Sequence, residues 1–150
     1  MTPLSDSRAS VPDAGFPIDV CFPSDVRLIE DVVGLVSRRC AEWQLNPRHC
    51  NLAVPVALTE ALSNAILYGN REDPSRNVRL RATLDERSLV LEVVDEGGGF
   101  DMEACAIDPT DPEHLDREDG RGLFLMRTLM DRVERFTDGG NVVRLTLHRS

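Results

Sequence analysis

Glu60 and Asn64 stand four residues apart in the segment Ala57-Leu58-Thr59-Glu60-Ala61-Leu62-Ser63-Asn64-Ala65, so on a helix they share one face. An Asn oxygen is a neutral, hard ligand. It can join phosphate oxygens and waters around an octahedral Mg²⁺ without adding negative charge. A Glu one turn earlier can take a proton from an attacking hydroxyl or water. The same pair also fits a solvated helix surface. Further on, Asp95-Glu96-Gly97-Gly98-Gly99 follows directly on the apolar run Leu89 to Val94. A carboxylate at the end of a buried strand can accept a hydrogen bond from the amino group of adenine, where guanine offers no donor. Gly97 and Gly99 would let the backbone approach base and ribose where a Cβ would collide. A surface Asp opening a glycine turn has the same spelling. Last comes Gly120-Arg121-Gly122-Leu123 at the opening of a helical stretch. Free amides at a helix N-terminus suit phosphates, although a short glycine motif is also an ordinary turn. Arg117 and Arg121 offer cations to a phosphate or a protein partner, or to solvent. Three signals in one order, each in the context its chemistry requires, point to a nucleotide pocket.

The elements that must position these residues can be read from periodicity. Phe16 to Phe22 alternates as a strand ending at Pro23, and Ser24 is placed to cap a first helix that runs to about Trp43. Asn46-Pro47 starts a second helix, and Val54, Ala57, Leu58, Ala61, Leu62 and Ala65 form its buried face. Gly69-Asn70 stops it. Pro55 inside it predicts a kink or a looser first turn. Val78 to Leu84 and Leu89 to Val94 read as strands joined at Asp85 to Ser88. The acidic stretch Asp101 to Asp119 reads as a long loop of lid type. A third helix follows over Gly122 to Met130, and a hairpin around Asp138-Gly139-Gly140 joins Val133 to Phe136 with Val142 to Leu147. The order β-α-α-β-β-α-β-β predicts an α+β fold, with a layer of helices over a mostly antiparallel sheet.

Bulk properties narrow the function. The 150 residues suit one domain, residues 16–150, behind a polar N-terminal tail, 1–15. A net charge of −9, with 17 basic residues scattered among acids, argues against nucleic-acid binding. A nucleotide remains compatible, because backbone amides and Mg²⁺ can offset its charge. Cys21, Cys40, Cys50 and Cys105 fall in no metal or redox spacing and read as reduced thiols. The tail lacks the apolar core of a signal peptide and no stretch reads as a membrane span, so the expectation is a cytoplasmic protein.

Taken together, the segments Glu60-Ala61-Leu62-Ser63-Asn64-Ala65, Asp95 to Gly99 and Gly120 to Leu123 resemble the boxes of the ATPase superfamily of gyrase, Hsp90, histidine kinases and MutL (GHKL). The likeness covers roughly Leu52 to Leu147. It implies a two-layer α/β sandwich of the Bergerat type: a mixed, mainly antiparallel sheet covered by helices on one face, with ATP under a mobile lid. Within that superfamily the chain is most similar to the bacterial anti-sigma factor serine/threonine kinases, through E-A-L-S-N-A, V-V-D-E-G-G-G-F-D and G-R-G-L-F-L-M-R-T-L-M-D-R-V. That resemblance implies Mg²⁺-dependent phosphorylation of a small STAS-domain antagonist and sequestration of a sigma factor. It assigns Glu60 as catalytic base, Asn64 as Mg²⁺ ligand and Asp95 as adenine reader, with Gly97, Gly99, Gly120, Arg121, Gly122 and Leu123 around the nucleotide. It also implies a homodimer through the first helix and sheet edge. A binding module with little kinase activity is the alternative. A histidine-kinase catalytic domain is disfavoured, because His49, His114 and His148 lie in none of the surroundings of a phospho-acceptor. Relatives often carry Thr near the adenine in the last strand, where Val142, preceded by Asn141, stands here.

Overall fold

The computed structural model describes residues 18–96 and 118–149, with side chains from 122 onward in the second segment. The tail, the lid stretch and the Gly97 to Gly99 run all lie outside the described residues. Five strands form one sheet in the order β1-β2-β3-β5-β4. They are β1 (Ile18–Pro23), β2 (Asn77–Leu84), β3 (Ser88–Asp95), β4 (Arg132–Thr137) and β5 (Asn141–His148). Every pairing is antiparallel, so the parallel component of a mixed sheet is not present among the described residues.

Alternation along the strands sends Val78, Leu80, Ala82 and Leu84 of β2, and Leu89, Leu91 and Val93 of β3, into the core. Against them pack three helices, α1 (Ile29–Glu42), α2 (Val54–Asn64) and α3 (Glu118–Leu129). The stripe read from the sequence is the buried one: Ala57, Leu58, Ala61 and Leu62 are fully enclosed, and Ala65 is buried beside them.

Two element boundaries differ from expectation. Ser24 does not cap a helix. Its hydroxyl donates to the Arg76 carbonyl at 2.7 Å, and Asp25 instead caps the short 3₁₀ turn Val26–Leu28 ahead of α1. Ser24 sits where β1 must be tied to the chain entering β2, and that pull outweighs its local capping preference. The third helix starts at Glu118, not Gly122, because glycine within a helix is tolerated when a neighbour requires close approach.

Asn46 caps the second helix as expected, its side-chain oxygen accepting from the Arg48 amide at 2.8 Å. Pro55 is accommodated without a break. It lies in the first turn of α2, and the preceding turn, His49–Ala53, widens to a π-helix. Proline has no N–H and clashes with the carbonyl four residues back, and a wider turn relieves both defects. A second π-turn, Ala65–Gly69, follows α2. The whole helix, His49–Gly69, has 21 residues and is long and apolar enough to cross a membrane, where the sequence reading expected no such stretch. It runs through the core of the domain, and that burial explains its composition.

The outer sheet face carries a row of alternating charge. Arg81 donates to Glu92 at 2.8 Å, and Arg144 grips the other Glu92 oxygen at 2.8 Å. Arg144 also lies 3.7 Å from Glu134 and 4.6 Å over the Phe136 ring. Glu92 is only 8% exposed, so it depends on these partners. Replacing it, Glu92→Ala, leaves two guanidinium groups side by side. Urea unfolding is expected to show a loss of about 1.5–3 kcal/mol, the usual worth of hydrogen bonds to charged groups.

Cys21, Cys40 and Cys50 are all free thiols. Burial, with the Cys50 thiol beside it, pushes Cys40 up to about 12. At pH 8 iodoacetamide should therefore alkylate the exposed Cys21 and spare Cys40 until the protein is unfolded, as read by peptide mass.

Candidate nucleotide-binding site

A shallow pocket opens on the helix-covered side of the sheet, lined by Asn64, Ala65, Val93, Asp95, Arg135, Asn141 and Val143. Two predicted residues, Asn64 and Asp95, thus meet across the helix–sheet boundary. Asn64 is 4% exposed, and its Nδ2 has no hydrogen-bond partner. Asn side-chain O and N assignments interchange by a half-turn of the amide. The residue can therefore present an oxygen at a buried position with an unfilled bond, as a hard-cation ligand requires. Glu60 is half-buried one turn earlier.

Glu60 and Asn64 both face Gly122 of α3. A Cβ on Gly122 would lie 2.7 Å from Glu60 Oε1 and 3.7 Å from Asn64 Nδ2. The described backbone of Gly120 and Arg121 is helical, in the first turn of α3, where unpaired amides occur. Gly122 lies one turn in, so its lack of a side chain serves the approach of α3 to Glu60. Leu123 is 1% exposed and points into the core, so its side chain packs α3 down.

Asp95 ends β3 at 5% exposure. Asn141 Nδ2 donates to its Oδ1 at 3.1 Å. Glycines press on it from two sides. A Cβ on Gly69 would collide with the Asp95 carboxyl, and one on Gly140 would collide with its backbone carbonyl. Gly140 also has φ +153°, at the margin of the range that favours glycine. The chain leaving Asp95 is pinned by Asn70, whose Oδ1 accepts from the Glu96 amide at 2.8 Å. Asn70 Nδ2 donates to Ser24 Oγ and to the Asn77 carbonyl, each at 2.9 Å. Fully buried, Asn70 joins α2, β1, β2 and the start of the glycine run.

Sequence reading missed Asn70 and Asn141 as site residues. Asn70 reads as a helix stop, and no local pattern announces bonds to partners as distant as Ser24 and Glu96. Asn141 could have been found by parity. Leu145 and Leu147 face the core, so Asn141 and Val143 do too, while Val142 pairs with Val94 on the opposite face. The residue at the pocket in β5 is thus Asn141, not Val142.

Residues 22–147 match the family model of the histidine kinase-like ATPase domain. The chain belongs to that family. An ATPase domain implies ATP binding. Among similar proteins is the serine-protein kinase RsbW of Bacillus subtilis (strain 168), 38% identical over 96 residues, which are 61% of this chain and 60% of the relative. The anti-sigma F factor of Clostridium beijerinckii is 32% identical over 99 residues, 64% of this chain and 68% of the relative. That of Thermoanaerobacter sp. (strain X514) is 33% identical over 107 residues, 69% and 74%. The matched region spans about 60% of the length of the RsbW relatives.

The packing around Asp95 yields a direct test. Gly69→Ala forces the carboxylate aside, and if Asp95 contacts the nucleotide, ATP affinity should fall at least tenfold by calorimetry. The overpacking should also cost about 1–3 kcal/mol of stability by denaturant melt.

Proposed function

We propose that the chain is an ATP- and Mg²⁺-dependent serine/threonine protein kinase that acts as an anti-sigma factor in a partner-switching system. It would phosphorylate a small STAS-type antagonist and sequester a sigma factor. The observation that carries this reading is the convergence of Glu60, Asn64 and Gly122: a carboxylate and an unpaired buried amide meet where the second glycine segment crosses α2. The names of the relatives, serine-protein kinase and anti-sigma F factor, support the substrate class and the partner.

In this reading Asp95 accepts a hydrogen bond from the adenine amino group, and Val93, Val143 and Ala65 line the base. The amides of the first turn of α3 and the segment Gly120 to Gly122 cradle the phosphates, while Gly97 and Gly99 let the backbone approach base and ribose. Asn64 would hold Mg²⁺, which neutralises phosphate charge. The acceptor hydroxyl gives its proton to the Glu60 carboxylate while its oxygen attacks the γ-phosphorus, and the bond to the ADP oxygen breaks. Operation in the cytoplasm and dimerisation through α1 and the β1 edge complete the proposal.

Glu60→Gln removes the proton acceptor and keeps the shape. Phosphotransfer to the antagonist is expected to fall at least ~100-fold, the low end of what a general base contributes, with ATP affinity within threefold of wild type. Transfer at near wild-type rate would remove Glu60 as the base. If the wild-type protein gives no phosphorylated antagonist yet binds its partners tightly, the chain is a nucleotide-dependent binding module.

A further inference from the structure

Asn141 occupies a position that motif reading does not assign, and its side-chain amide donates to the carboxylate on which base recognition turns. In the antiparallel ladder Asp95 pairs with Asn141, and both line the pocket. A carboxylate on a free side chain rotates about its last bond and presents its oxygens over a broad range of angles. Here Oδ1 accepts from Asn141 Nδ2, while Oδ2 lies against Gly69, where there is no room for even a Cβ. The carboxylate plane is therefore held from both ends. A hydrogen bond to a charged acceptor is among the stronger ones, and Val93, Val143 and Ala65, which line the same pocket, carry no side-chain donor.

We infer that Asn141 is a positioning residue that sets the preference of this pocket for adenine over guanine nucleotides by fixing the orientation of the Asp95 carboxylate. Adenine carries an amino donor at the position where guanine carries a carbonyl. A carboxylate held rigidly rewards the donor and repels the carbonyl. One free to swing away loses the reward and escapes the repulsion. Loss of Asn141 therefore weakens ATP and relieves the penalty on GTP, so the ratio of the two affinities changes most. A side chain that merely supported the fold would weaken both nucleotides alike.

This inference rests on the reading of Asp95 as the adenine contact, and the experiment separates the two. Dissociation constants for ATP and GTP are measured by displacement of a fluorescent nucleotide from wild type, Asp95→Asn, Asn141→Val, Asn141→Thr and the double variant Asp95→Asn/Asn141→Val. Asp95→Asn should reduce the ATP-over-GTP preference at least thirtyfold, and Asn141→Val at least tenfold. The double variant should be no less selective than Asp95→Asn alone. Asn141→Thr keeps a donor on a strand-compatible side chain and should restore the preference to within threefold of wild type. If Asp95→Asn leaves the preference intact, the Asp95 reading fails. If Asp95→Asn abolishes it while Asn141→Val changes the ratio less than twofold, or weakens both nucleotides equally, Asn141 is not a positioning residue and the Asp95 reading stands.

Discussion

A carboxylate buried at the end of a strand is the constraint on which the site depends. Leaving water costs an ionised group several kcal/mol unless partners replace its hydration. Asp95 obtains the Asn141 amide as one such partner, which requires β5 to pair in the register that sets Asn141 beside it. It also requires the end of the long helix to press close, which Gly69 permits, and the hairpin tip to fold against its carbonyl, which Gly140 permits. Three separate segments are thereby drawn to one point. The pocket floor is what lies between them.

Close packing carries the same logic along α2. Alanines at 57, 61 and 65 let the helix lie near the sheet, and the Glu60–Asn64 face turns toward α3, where Gly122 leaves space for the Glu60 carboxyl. The glycines at 69 and 122 thus act as clearance for two acidic side chains, one for Asp95 and the other for Glu60. Glycine flexibility is a smaller part of their role than the absence of a Cβ. The π-turns on both sides of α2 adjust its phase, the first around Pro55 and the second where the helix must end beside Asp95. On the far face of the sheet, the Arg81–Glu92–Arg144 row ties β2, β3 and β5 together and holds the register that the pocket uses.

Much of this was legible from the chain. Helical and strand periodicities place all five strands and all three helices among the described residues, because each element buries one face and the spacing of apolar residues records it. The Asn46 cap and the looser turn at Pro55 follow from local backbone chemistry. Less legible were Ser24 and the start of α3. In both cases a contact distant in sequence overrides a local preference: Ser24 with Arg76 and Asn70, Gly122 with Glu60.

Residue types and spacing by themselves pointed to the fold class and singled out Glu60, Asn64 and Asp95 as candidates, since repeat distances of one helical turn and a strand ending in a carboxylate are properties of the chain alone; the family came from the resemblance of the three motifs. Tertiary structure decided that Asn64 and Asp95 line one pocket, that Asn141 rather than Val142 faces it, and that Asn70 pins the segment leaving Asp95. The physical reason is that side-chain hydrogen bonds between remote segments depend on strand register and helix phase. Those are set by the packing of the whole core, and a short stretch of sequence carries no record of them.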